Sequence, residues 1–312
     1  LMTIRLPRLH RPPRIIWVTG SGTEVGKTTI ASALVRVLVR KGYPALAFKP
    51  YAAGIMAEMP ERQVWRDPAR TGPEIGHDAI QLANASPLTH GFLDLVAPVQ
   101  FVCFPDFSKT VMARAGSTLL DNRRFFRPEV PLAVADPDTR DALVRSLGLA
   151  LDDAVPMPGL NFRDASRIAP GLVTAAFRRL LKLQPHTIVI EGATKFNPSF
   201  RGGLPIDHLV YLSRPAITVH PAVHRPQPHF QARSQLVVND GLIRSLAESG
   251  RPPAVLTLPE AEEDRQDAVA EAAASEILDH FDRTEGRWAR FKAAVWLRTR
   301  RTKTLAPGRR RG

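Results

Sequence analysis

At 312 residues with 44% hydrophobic side chains, the chain can bury a real core, as one large α/β domain or two small ones. No apolar run approaches the roughly 18 residues that cross a bilayer, so no membrane partner is expected. The net charge of +13 suggests a polyanionic partner until it is located, because four arginines stand in residues 1–14 and ten lysines and arginines in residues 287–312, with no acidic side chain in either stretch.

The body between those ends carries almost no net charge. The basic arm over 1–14 and the basic tail over 287–312 therefore read as solubilising segments, and nucleic acid is not an expected partner. The final Arg309-Arg310-Arg311 also lacks interleaved aromatic rings on which bases could stack. The arm holds three prolines and no apolar stretch, so no secretory signal is expected. Cys103 is the single cysteine, which rules out an intramolecular disulfide and fits a reducing, cytoplasmic setting.

In chain order, residues 15–18 form a short apolar, β-branched run that predicts a strand, and residues 28–41 carry apolar side chains at helical spacing up to Gly42. Between them lies Gly20-Ser21-Gly22-Thr23-Glu24-Val25-Gly26-Lys27-Thr28-Thr29. A glycine-rich turn from strand to helix lets backbone N–H groups converge on an oxyanion at the positive end of the helix. Lys27 adds a mobile ammonium, and the Thr28 hydroxyl is a hard oxygen ligand for magnesium. The expected nucleotide-binding set is Gly22, Val25, Gly26, Lys27, Thr28 and Thr29, and the expected ligand is a nucleoside triphosphate. The loop is one residue longer than the usual G-x-x-x-x-G-K-[ST] spacing.

Residues 44–48 predict a second strand, adjacent to the first strand that carries the loop, which places Lys49 at a carboxyl edge, where open α/β sheets bind ligands. Residues 55–76 read as loop, 78–85 and 108–115 as helices, 172–183 as a helix, and 187–190 as a buried parallel strand. Asp78 either caps its helix or ligates a cation, whereas Glu191 ends a buried strand where a carboxylate is costly without a cation. Both are candidate metal ligands beside Thr28. Further strands are expected at 208–212, 217–219 and 254–258, and one or two helices over 262–300. This alternation predicts a doubly wound, mostly parallel sheet of the P-loop NTPase type over residues 15–286, with a helical insertion at 121–168. His220, His224 and His229, set among prolines, read as a stiffened surface or dimer loop rather than a zinc site.

The strings Thr23-Glu24-Val25-Gly26-Lys27-Thr28, Lys49-Pro50-Tyr51-Ala52-Ala53-Gly54, His77-Asp78-Ala79-Ile80-Gln81-Leu82 and Val189-Ile190-Glu191-Gly192-Ala193 together resemble the dethiobiotin synthetase family. The likeness covers residues 15–120 and 172–200. It implies a homodimeric ligase dependent on ATP and Mg2+, in which a carbamate is phosphorylated and a second amine closes a cyclic urea. On matching positions, Thr23, Glu24, Lys27 and Thr28 would hold phosphates and metal, Thr23, Lys27 and Lys49 would serve the chemistry, and Asp78 and Glu191 would complete the magnesium shell.

The departures fall on the substrate side. Ala53 stands where the family has a serine, Thr194-Lys195 where it has Gly-Gly, and Asp106-Phe107-Ser108-Lys109 where it has a Ser-Pro-His segment. Val238-Asn239-Asp240 echoes the family's adenine-reading segment only weakly. Ala53, Lys109 and Lys195 are therefore candidate substrate contacts for a small molecule other than diaminopelargonate. A small-molecule kinase and, further off, a partitioning-type nucleotide switch are the alternative readings.

Overall fold

The computed structural model describes residues 13–22, 25–55, 77–90, 92–103, 110–116, 120, 124–128, 154–157, 170–192, 206–213, 215–221, 254–258 and 265–285. The run Ile15, Ile16, Trp17, Val18 makes strand β1 (Arg14–Gly20), buried on both faces. Helix α1 (Lys27–Arg40) follows, then β2 (Ala45–Phe48), β3 (Tyr51–Ile55), α2 (His77–Asn84), the single turn α3 (Leu93–Val96) and β4 (Val99–Cys103). The chain continues through β5 (Thr110–Ala115), β6 (Arg124–Pro128), β7 (Val155–Met157), α4 (Pro170–Leu181) and β8 (Thr187–Glu191). It closes with β9 (His208–Ser213), β10 (Ala216–Pro221), β11 (Ala254–Thr257) and α5 (Gln266–Glu285).

The fold is α/β with two mixed sheets. One runs β11-β10-β9-β1-β8-β2 and the other β3-β4-β5-β6-β7. In the first, β2, β8, β1 and β9 are parallel neighbours, whereas β10 and β11 run antiparallel at the edge. In the second, the β3/β4 and β6/β7 pairs are parallel and the β4/β5 and β5/β6 pairs antiparallel. Four parallel strands deliver Gly20, Phe48, Glu191 and Ser213 to one edge of the first sheet.

Alternation along the strands divides the core. Ile15, Trp17, Leu46, Phe48, Ile188 and Ile190 pack against Val173, Ala176, Phe177 and Leu180 of α4, with the Phe48 and Phe177 rings 5.3 Å apart. Ile16, Val18, Ala45, Ala47 and Val189 face α1, α2 and α5. The apolar spacing of Ala270, Ala274, Ile277, Leu278 and Phe281 gives α5 one buried stripe. Each large side chain taken out of water there contributes about 1.5–3 kcal/mol. The outer flank of the α1–α5 contact is ionic, joining Arg36 to Asp267 and Glu271, Arg40 to Glu271, and Lys41 to Asp279.

Several expectations change. The segment 108–115, expected as a helix, holds strand β5, because Ala113 and Ala115 alternate into the core opposite Phe101 and Val99 while Arg114 lies on the other face. Alanine favours a helix in isolation, but cross-strand pairing decides here. The described parts of the expected helical insertion, 124–128 and 154–157, include β6 and β7 rather than a helix. Residues 51–54, to which the sequence assigned no element, form strand β3 of the second sheet together with Ile55, which opens the expected 55–76 loop. The final helix is described as far as Glu285, and residues 286–300 lie outside the described residues. His220 is buried in β10, not displayed on a surface loop, and His224 and His229 lie outside the described residues. No helix among the described residues is long and apolar enough to cross a membrane.

Burial pushes the Glu271 carboxyl up, but hydrogen bonds from Arg40 and Arg36 outweigh it and hold its pKa below the ordinary glutamate value. A depressed folded pKa contributes stability that is present above the unfolded value, here 4.5, and lost as pH falls through the folded one. Urea unfolding at pH 7 should find Glu271→Gln about 0.5–1 kcal/mol less stable than the native chain. That gap should close as the pH is lowered through the acid range.

Candidate active site at the carboxyl edge of the parallel strands

The phosphate-type loop is held against β9 by a close approach. Ser21 N–H donates to Leu212 O at 2.9 Å, and a Cβ added to Gly20 would lie 2.7 Å from both Leu212 O and Val25 Cγ2. Gly26 adopts φ +87° at the N-cap of α1, a left-handed conformation that favours glycine. It has no side chain with which to cap, and the first turn of α1 carries no acidic residue. The leading amides of Lys27, Thr28 and Thr29 thus form a helix N-terminus suited to an anion. Thr23 and Glu24, between Gly22 and Val25, lie outside the described residues.

Lys27 bends back so that Nζ donates to Gly22 O. Burial lowers its pKa first, with Glu191 and Asp78 opposing and Lys49 reinforcing that shift. Thr28 Oγ1 donates to Glu191 Oε1 at 3.0 Å. Lys49 Nζ reaches Asp78 Oδ2 at 2.5 Å and the same Glu191 Oε1 at 2.7 Å. Burial alone would lower the Lys49 pKa, but the Asp78 and Glu191 charges outweigh it and hold the ammonium well above the ordinary lysine value.

Glu191 is 1% exposed, and burial pushes its pKa up, against Lys49, which pulls it down. Its Oε2 has no hydrogen-bond partner among the described residues. Asp78, in the first turn of α2, is 43% exposed at its side chain and forms the open wall of the cluster. Thr28, Asp78 and Glu191 offer hard oxygens, one of them an orphaned buried carboxylate oxygen. Such a donor set fits a magnesium ion that keeps its remaining positions for water and phosphate.

The structure thus gathers Lys27, Thr28, Lys49, Asp78 and Glu191 at one edge. One placement differs from the sequence-based expectation. The second strand was expected beside the strand that carries the loop, yet β8 lies between them, so Lys49 neighbours Glu191 rather than the loop. Ala53 lies in β3, in register with Phe101 of β4, and Lys109 and Lys195 fall outside the described residues. The carbonyl of Gly22 and the Gly20–Leu212 contact carry no sequence signal of their own beyond the two glycines. No group of three His, Cys, Asp or Glu side chains among the described residues could hold a metal by itself.

Comparison with known proteins finds local likeness to dethiobiotin synthetases. The chain is 48% identical over 46 residues to the ATP-dependent dethiobiotin synthetase BioD of Ralstonia nicotianae, covering 15% of this chain and 20% of that one. It is 46% identical over 52 residues to the protein of the same name from a Janthinobacterium species, covering 16% and 22%. For the Caulobacter protein of that name the figures are 39% over 61 residues, 20% and 25%. The chain therefore spans between a fifth and a quarter of the length of these curated relatives. No protein-family model matches it. The likeness supports a distant relationship to these proteins.

Overpacking at Gly20 tests the geometry of the loop. Gly20→Ala should cost about 1–3 kcal/mol in thermal or urea unfolding. Gly22→Ala has nothing within 4 Å of its added Cβ and should be close to neutral in the same assay.

Proposed function

We propose that this chain is a Mg-ATP-dependent carbon–nitrogen ligase on a doubly wound, P-loop NTPase type fold. It would activate a carbamate or carboxylate as a mixed phosphoric anhydride for attack by an amine. The observation that carries this reading is the convergence of two lysines, two carboxylates and the Thr28 hydroxyl at the N-terminus of α1. Triphosphate chemistry needs that combination of cations, an amide cradle and hard oxygens. The short stretches of likeness to dethiobiotin synthetases favour a ligase over a kinase on the same scaffold.

In this proposal Gly22, Val25, Gly26, Lys27, Thr28 and Thr29 hold the phosphates, and Thr23 and Glu24 join them on the strength of the resemblance. Thr28, Asp78 and Glu191 hold magnesium, which when bound would neutralise phosphate charge. An oxygen of the acceptor carboxylate attacks the γ-phosphorus, the bond to the β-phosphate oxygen breaks, and ADP leaves. The amine then attacks the anhydride carbon, the C–O bond to phosphate breaks, and phosphate departs as the amine loses a proton. Lys49 stabilises the carboxylate and the phosphoryl group during transfer. Little covalent help is needed, so positioning and charge neutralisation supply the rate. Ala53, Lys109 and Lys195 are the proposed substrate contacts, and a homodimer is the proposed assembly.

A screen of amines and carboxylates, with and without bicarbonate, should give ADP, free phosphate and a new C–N bond in equal amounts. Phosphate retained on the product would identify a kinase instead. Lys49→Ala should lower kcat by a factor on the order of 10² to 10³. Its affinity for a non-hydrolysable ATP analogue, measured by calorimetry, should stay within a few-fold of the native value. Unchanged turnover would remove Lys49 from the chemistry.

A further inference from the structure

We propose that the Lys49 ammonium is an intramolecular counter-ion seated where a divalent cation would bind, so that metal loading and release of Lys49 toward nucleotide and substrate are one exchange. The inference rests on the reading of Thr28, Asp78 and Glu191 as cation ligands. It concerns how that site is kept before it is filled.

Lys49 Nζ already touches two of those three side chains, at 2.5 Å from Asp78 Oδ2 and 2.7 Å from Glu191 Oε1. The third, Thr28 Oγ1, is 3.0 Å from that same Glu191 oxygen. Magnesium binds oxygen at about 2.1 Å, so an ion sharing these donors would sit in contact with the ammonium. Two cations do not share such a space, and one of them must leave.

The backbone of Lys49 has little freedom to withdraw. Its N–H donates to Val96 O at 2.8 Å, and Pro50 follows at the point where the chain passes from the first sheet to the second. The movable part is the side chain, which is 6% exposed where it lies. Glu191 Oε2 is the place where an exchange can begin. It is buried and without a partner among the described residues, so an arriving cation can engage it while Oε1 still holds Lys49.

Charge sets the conditions of the exchange. Lys27 and Lys49 balance Asp78 and Glu191, so the four side chains are neutral together. A divalent cation alone would leave two positive charges uncompensated in a buried cluster. A triphosphate arriving with the metal more than offsets that positive excess, and its phosphates provide the released ammonium with a new partner. Metal affinity in the absence of nucleotide is therefore held down by Lys49 itself.

Binding of Mn2+, followed by the loss of free-ion signal in electron paramagnetic resonance without nucleotide, tests the proposal on the full chain. Lys49→Met should bind Mn2+ about tenfold or more tightly than the native protein, whereas Lys49→Arg, which keeps the charge, should not. Lys49→Gln replaces the methionine variant if that one fails to fold. A measurement on the native chain needs no substitution: reductive methylation of Lys49, read by mass spectrometry, should accelerate several-fold at saturating Mn2+. Equal or weaker Mn2+ binding by the uncharged variants, or unchanged methylation with Mn2+ bound, overturns the exchange. Adding AMP-PNP separates the two failures. A native chain that binds no AMP-PNP with Mn2+ refutes the nucleotide site, while one that binds both with no metal gain in Lys49→Met refutes only the exchange.

Discussion

The contact between Lys49 and Glu191 is the constraint on which the rest of this site depends. A carboxylate that is 1% exposed at the end of β8 would be several kcal/mol unfavourable if left alone in the interior. Lys49 Nζ, 2.7 Å away, supplies the compensating charge, and Thr28 donates to the same oxygen. Three elements are tied at that point. The end of β2 presents the lysine, the end of β8 presents the carboxylate, and the first turn of α1 presents the hydroxyl. Asp78 brings in the start of α2 as a fourth.

That arrangement follows from the sheet beneath it. Because β8 is in register with both neighbours, Val18 of β1 and Phe48 of β2 flank the last residues of β8, and β1 runs two residues further to Gly20. Apolar packing covers both faces of these strand ends, with Trp17 and Phe48 turned toward α4 while Val18 and Val189 turn toward α1. Polar groups then appear where the apolar alternation stops. Gly192 N–H closes back on Val18 O at 2.8 Å, so even the exit of β8 is anchored to β1.

The passage between the sheets has a functional consequence. At Lys49-Pro50 the chain leaves the first sheet and enters β3 of the second, and Lys49 N–H pairs with Val96 O outside either ladder. A residue at such a transfer point is fixed in its backbone and yet projects its side chain beyond the sheet edge. That combination suits a group that must hold one partner and then reach another. The ammonium is kept charged by its two carboxylate neighbours.

The phosphate-type loop, the helix after it, Lys49 at one strand end and Glu191 at another were legible in the sequence. Glycine spacing, apolar runs and the residue that breaks them are local signals, and local signals fix where elements start and stop. Sheet order was not legible. Nothing within residues 44–48 says that β8 lies between them and β1, because strand neighbours are chosen by pairing across more than a hundred residues. The strand at 110–115 escaped for the same reason: its alanines favour a helix until β4 supplies a partner with Phe101 and Val99 in register. The sequence by itself determined which residues stand at the strand ends and at the start of α1. Only the tertiary structure decided that a lysine and a buried carboxylate, 142 positions apart, would neutralise one another beside it, since that depends on which strand ends are brought side by side.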